Sequence, residues 1–208
     1  MNAALVVIAK APRAGHSKTR LCPPCTPRQA AALARAALAD TLEAVRATPA
    51  ARHVLALDGE PGGWLPAGFE VIPQRGRGLD ERLAHAFDDV GGPALLIGMD
   101  TPQVSSSDLR EGLQVLAAPA TDAVLGPAPD GGYWAIGLRK PDPRAFLCVP
   151  MSTAVTCRAQ RARLERLGLH VRDLPPVRDV DRIADAHAVA ALAPSGRFAR
   201  ALAVVGAA

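Results

Sequence analysis

Four cations, Lys10, Arg13, Lys18 and Arg20, fall within the stretch KAPRAGHSKTR at positions 10–20, and no acid stands among them. The stretch follows directly on the apolar run AALVVIA, so a buried strand delivers the cations to a sheet rim, where they suit an anion such as a polyphosphate. Gly15 and the backbone N–H groups of the same loop add to such a site, and His16 is within reach of it. A solvated basic loop is the plainer alternative. AGHSKT lacks the first glycine of GxxxxGK[ST], which excludes the usual phosphate loop of NTPases.

Acids of matching chemistry lie far away in sequence. LLIGMDTP (95–102) places Asp100 at the end of a buried strand, on the rim where open α/β folds bind ligands, although Asp before Thr-Pro is also a turn former. In RDVDRIAD (178–185), Asp179 and Asp181 share one face of an extended segment while Val180 turns inward. Paired carboxylates suit a hard divalent ion that completes its shell with phosphate oxygens, whereas Asp181 is also placed to cap a helix starting near Arg182. PAPDGGYWAIGL (127–138) sets Asp130 and Tyr133 beside Gly131 and Gly132, which permit close approach of a ligand or simply form a hairpin turn. In RGRGLDERLAHAF (75–87), Gly76 and Gly78 precede a helix start that can turn amides toward a nucleotide or serve only as a strand-to-helix turn.

These groups need a scaffold that brings distant strand ends together. Apolar runs near 3–9, 52–57, 69–73, 94–98, 122–126, 133–138 and 169–174 read as strands. They alternate with helical patterns at about 27–47, 78–90, 106–118, 152–168 and 182–192. That alternation predicts an α/β fold with a mostly parallel sheet covered on both faces. Thr26, Pro27 and Gln29 read as a capping box opening the first helix. The six residues 127–132 are too few for a parallel crossover, so the strands on either side should pair antiparallel or lie apart in the sheet.

Composition narrows the options. The 208 residues are 49% hydrophobic but only 3% aromatic, with a formal charge of +4. The core is therefore built from Ala, Val and Leu, no stacking platform for single-stranded nucleic acid is present, and the scattered arginines make no polyanion stripe. The opening apolar run is too short for a membrane span and lacks a basic start, so a cytoplasmic protein without nucleic-acid or membrane partners is expected. Cys22, Cys25, Cys148 and Cys157 have neither disulfide-framework nor zinc-ligand spacing and read as incidental thiols.

Taken in order, KAPRAGHSKTRL, GLDERLAHAF, LLIGMDTP, VLGPAPDGGYWAIGL, MST and DVD resemble a bacterial family of GT-A-fold transferases. That family belongs to the nucleotide-diphospho-sugar transferase superfamily, and its members are usually labelled glycosyltransferases. The opening KTRL, its Pro-containing loop and the long Ala-rich helix are also similar to phospholactate or phosphoenolpyruvate guanylyltransferases. Gln103 and Val104 depart from the Asp and Leu frequent in relatives, and Met151 stands where many have Trp.

The resemblance implies a single nucleotide-binding transferase domain over 1–208, a Rossmann-like α/β/α sandwich of GT-A type. It implies that Lys10, Arg13, Gly15, Lys18 and Arg20 hold nucleotide phosphates and that Gly78 and Asp80 lie near base or ribose. It places Asp130, Gly131, Gly132, Tyr133, Ser152 and Thr153 near the acceptor, and Asp100, Asp179 and Asp181 on Mg²⁺ or Mn²⁺. It implies that Lys18, Arg20 and Asp100 form the catalytic set. The cation density favours nucleotidyl transfer from an NTP to a small phosphorylated or carboxylated acceptor, with pyrophosphate leaving, because three phosphates demand more positive charge than two. A nucleotide-sugar glycosyltransferase and a non-catalytic nucleotide-binding protein are the alternatives. Nucleobase, acceptor and oligomeric state stay open.

Overall fold

In the computed structural model, which describes residues 2–206, the seven expected strands form one sheet. They are β1 (Ala4–Lys10), β2 (His53–Asp58), β3 (Glu70–Pro73), β4 (Ala94–Gly98), β5 (Ala123–Pro127), β6 (Tyr133–Leu138) and β7 (Val171–Asp173), in the order β3-β2-β1-β4-β6-β5-β7. The β1–β2, β1–β4, β2–β3 and β5–β7 pairs are parallel. Strand β6 runs antiparallel to both neighbours, β4 and β5; of the two arrangements the short 127–132 link allows, β5 and β6 adopt the antiparallel pairing. The chain leaves β1 toward β2 on one side and returns to β4 on the other. The carboxyl ends of β1 and β4 therefore flank the reversal in strand order, where α/β sheets open a crevice.

Alternation along the strands divides the core. Leu5, Val7 and Ala9 of β1 face α1 (Pro27–Arg46) and α3 (Ser106–Ala117), with Leu38, Leu42 and Leu109 packed against them. Ala4 and Val6 face the other way, onto Leu83 and Phe87 of α2 (Leu79–Val90) and Leu164 of α4 (Thr156–Arg166). Two buried faces explain why β1 and β4 read as continuous apolar runs. The Thr26–Gln29 capping box forms as expected and fixes where α1 begins.

Three local expectations differ from the structure. Helix α4 starts at Thr156 rather than near 152, because residues 152–155 turn beneath the 130–132 loop, where the Cys157 N–H donates to the Gly131 carbonyl at 2.8 Å. Helix α6 (Arg197–Gly206) was not expected: its first-turn N–H groups, those of Arg197 and Phe198, donate to the Asp40 carboxylate at 3.0 and 2.8 Å. That cap comes from α1, far away in sequence. Asp181 does not cap α5 (Ile183–Leu192); the Arg182 N–H donates instead to Asp185 Oδ2 at 3.0 Å. A third core cluster joins the outer face of α1 to α5 and α6 and includes Leu21 and Val180. No helix among the described residues is long and apolar enough to cross a membrane.

Candidate active site

The basic loop is folded rather than loose. Ser17 Oγ accepts from the Arg13 N–H at 2.9 Å, and the His16 and Ser17 N–H groups donate back to the Arg13 carbonyl. A short 3₁₀ turn, Thr19–Leu21, follows and is anchored by Leu21, which is fully buried. Between these anchors Lys18 takes a left-handed backbone conformation at φ 51°, uncommon for a residue with a Cβ. Its side chain folds inward and is only 10% exposed, while that of Arg20 is 64% exposed.

The segment carrying the paired acids meets this loop at the end of β4. The Val180 N–H donates to the Asp100 carbonyl at 2.9 Å, and Lys18 Nζ donates to the Val180 carbonyl. With the Val180 side chain sunk into the third core cluster, Asp179 and Asp181 flank it and both line the same crevice. Lys18 Nζ stands 2.8 Å from Asp100 Oδ1, and Arg20 pairs with Asp181. Asp100 Oδ1 is sealed from solvent and accepts no hydrogen bond of good geometry, so the ammonium is a charge neighbour rather than a directed donor. Thr101 Oγ1 beside it is likewise buried without a hydrogen-bond partner among the described residues.

Burial pushes the Asp179 carboxyl up to about 6, the Asp130 charge adds to the shift, and Lys18 opposes it. Asp130 itself accepts from the Gly132 N–H at 2.8 Å, closing the turn that precedes β6. Gly131 sits there at φ 91°, and an added Cβ would stand 2.1 Å from the Ala154 carbonyl oxygen, so the loop before α4 packs on bare backbone. Tyr133 donates to Gln160 Oε1 at 3.3 Å, and burial drives its phenol pKa upward. It is a half-buried neutral group in this wall.

The crevice has a volume of about 840 Å³. Of the residues singled out in the sequence, Lys10, His16, Lys18, Arg20, Asp100, Asp130, Gly132, Tyr133, Ser152, Thr153, Asp179 and Asp181 line it. Arg13, Gly15, Gly78, Asp80 and Gly131 do not line it; Gly131 shapes the wall from behind, and Asp80 Oδ2 accepts from the Cys148 N–H at 3.1 Å. Asp100, Asp179 and Asp181 share the crevice, but among the described residues no three His, Cys, Asp or Glu side chains converge as a ready-made metal cage.

Gln74, Arg77 and Arg82, none of them in the expected site, also line the crevice. Gln74 Nε2 bridges the Ala9 and Ala56 carbonyls at the ends of β1 and β2 while its Oε1 accepts from Arg82, which also pairs with Asp58 at 2.7 Å. The RGRGLDER string contained two of these residues, yet their role depends on β3 lying beside β2. Ile8, Leu83 and Leu96 add an apolar stretch to the wall. The four cysteines are free, and burial pushes the Cys25 and Cys157 thiols up, away from the reactive thiolate form.

The fold is shared with solved transferase structures. A candidate nucleotide-diphospho-sugar transferase from Desulfovibrio desulfuricans G20 is similar at a TM-score of 0.79 and 29% identity, over 89% of this chain and 85% of that one. CMP:2-keto-3-deoxy-manno-octonic acid synthetase complexed with CTP is similar in fold at 0.59 and 15% identity, over 94% and 99% of the two chains. A Mycobacterium tuberculosis H37Rv protein in complex with manganese is similar in fold at 0.54 and 20% identity, over 90% and 97%. That similarity of fold defines a transferase of the nucleotide-diphospho-sugar transferase class. The chain belongs to the DUF2064 family, described as an uncharacterized protein conserved in bacteria, whose profile matches residues 29–153. That range contains Asp100, Asp130 and Thr153 but neither the basic loop nor Asp179 and Asp181. No curated protein matches the chain.

Proposed function

We propose that the chain is a nucleotidyltransferase that moves a nucleotidyl group from an NTP to a small phosphorylated or carboxylated acceptor, with a divalent metal as cofactor. The observation behind this reading is the meeting of Lys18 and Arg20 with Asp100, Asp179 and Asp181 on one rim. In the reaction an acceptor oxygen forms a bond to the α-phosphorus while the bond from that phosphorus to the α–β bridging oxygen breaks. The electron pair leaves on pyrophosphate, and a phosphate or carboxylate acceptor has no proton to surrender. Charge therefore builds on the leaving group, and fixed cations lower its energy more than that of the ground state.

Lys10, Lys18 and Arg20 bind the phosphate chain and stabilise pyrophosphate. The apolar wall of Ile8 and Leu83 accepts the flat face of the base, with Arg82 held beside it by Asp58. The acceptor lies between Asp130, Gly132 and the Ser152–Thr153 turn. Asp100 Oδ1, sealed from solvent and balanced by the Lys18 ammonium at 2.8 Å, has the character of a cation ligand, and Asp179 lies on the same rim. Asp100 and Asp179 would hold a divalent ion, which would supply neutralisation of the phosphate charge. The CTP bound by one structural relative and the manganese bound by another support the choice of nucleotide and metal.

A second reading, transfer of a sugar from a nucleotide sugar at the same rim, is favoured by the Desulfovibrio relative at 29% identity. The test incubates the protein with each NTP and with nucleotide sugars, Mg²⁺ and a pool of small phosphorylated and carboxylated acids, and reads pyrophosphate. Release with an NTP that depends on Lys18 and Asp100 supports the first reading. Turnover of nucleotide sugars without pyrophosphate release refutes it.

A further inference from the structure

We propose that Lys18 is a stand-in cation at Asp100, so that the site takes its divalent ion as a preformed metal–polyphosphate complex and not as the free ion. This rests on the metal and nucleotide reading above and assigns the form in which the ligand arrives.

Three observations lead there. The Lys18 ammonium is drawn out of the loop and almost enclosed, 2.8 Å from Asp100 Oδ1, with the Val180 carbonyl as its acceptor. Its left-handed backbone is an uncommon conformation for lysine, compatible with the inward path of the side chain. Asp100 Oδ1 has no hydrogen-bond donor of good geometry, so this charge is what balances it.

A bare divalent ion approaching Asp100 thus meets a positive charge already in place. It also finds an incomplete ligand set: Asp181 is engaged by Arg20, and no three-carboxylate cage exists among the described residues. A hard ion with two carboxylates fills its shell from water or phosphate, and a metal–polyphosphate brings those oxygens with it. The same phosphate offers Lys18 a new anionic partner, so the ammonium can leave Asp100 without losing its charge contact. Metal and polyphosphate binding are therefore coupled through one side chain, and by linkage each raises the affinity of the other.

The experiment measures Mn²⁺ binding from the paramagnetic resonance signal of the free ion, on wild type, Lys18→Met and Asp100→Asn, with tripolyphosphate as a probe that needs no base. Far-ultraviolet circular dichroism checks that each variant is folded, and Lys18→Gln replaces Lys18→Met if the latter is not. Without tripolyphosphate, Lys18→Met is expected to bind Mn²⁺ at least ten-fold more tightly than wild type, and Asp100→Asn more weakly than either. Mn²⁺ is expected to raise wild-type affinity for tripolyphosphate at least ten-fold, and to do so much less in Lys18→Met. If Lys18→Met binds free Mn²⁺ no better than wild type while Asp100→Asn weakens it, the stand-in role is overturned and the metal site survives. If Asp100→Asn leaves Mn²⁺ binding unchanged, both the stand-in and the metal site are refuted.

Discussion

Asp179→Asn should stabilise the protein at alkaline pH and leave it nearly unchanged in acid. Burial and the neighbouring Asp130 charge raise the Asp179 carboxyl from its ordinary 3.8 to about 6. A shift of that size in a sealed site corresponds to roughly 3 kcal/mol, and solvent screening of a partly open carboxylate reduces it to about 1–2 kcal/mol. The sign follows from linkage: the native state holds the proton more tightly than the unfolded chain. The favourable contribution is complete below pH 3.8 and is lost as pH rises through about 6. An uncharged amide avoids the loss. Urea midpoints for wild type and variant, measured at intervals from pH 4 to pH 8, should diverge between those limits and settle at a constant gap above pH 7. A gap that does not change with pH, or a carboxyl signal for Asp179 that titrates near 4 by nuclear magnetic resonance, would refute the reasoning.

Asp130→Asn should move that pH midpoint toward 4, because it removes the main like charge facing Asp179, and the same carboxyl titration reads it. Gly131→Ala should cost ~2–4 kcal/mol in urea unfolding, since the position lies at φ 91° and the new Cβ would strike the Ala154 carbonyl oxygen at 2.1 Å. Trp134→Phe should cost ~1–3 kcal/mol by the same assay, because the indole N–H, buried beside Gly126, donates to the Pro175 carbonyl at 3.0 Å. Arg20→Gln should change stability by less than ~1 kcal/mol, as its pair with Asp181 is exposed. It should nevertheless weaken nucleotide binding ten-fold or more in a fluorescence titration.

Local pattern was sufficient for much of the scaffold. Runs such as LVVIA and ALLIG are apolar on both faces because helices cover both sides of their strands, and the Thr26–Gln29 box closes with neighbours three residues apart. The short 127–132 link by itself excluded a parallel crossover between β5 and β6. Basic loop, strand-end acid and paired acids were visible as residue types, because a strand end places its next side chain at a rim whatever the rest of the chain does. Alternation placed Asp179 and Asp181 on one side and Val180 on the other.

Long-range contacts decided the rest. Helix α6 draws its cap from Asp40 of α1, so nothing near Arg197 announced its start. Asp181 turned to Arg20 and left the helix cap to Asp185, a choice between two acids that only the position of the basic loop settles. Gln74 and Arg82 joined the crevice because β3 pairs with β2, and Asp80 turned away to the Cys148 amide. Residue type and spacing determine which chemistry this chain has available. Strand order determines which of those groups meet, because pairing across the sheet depends on burial summed over the whole core and not on any local window.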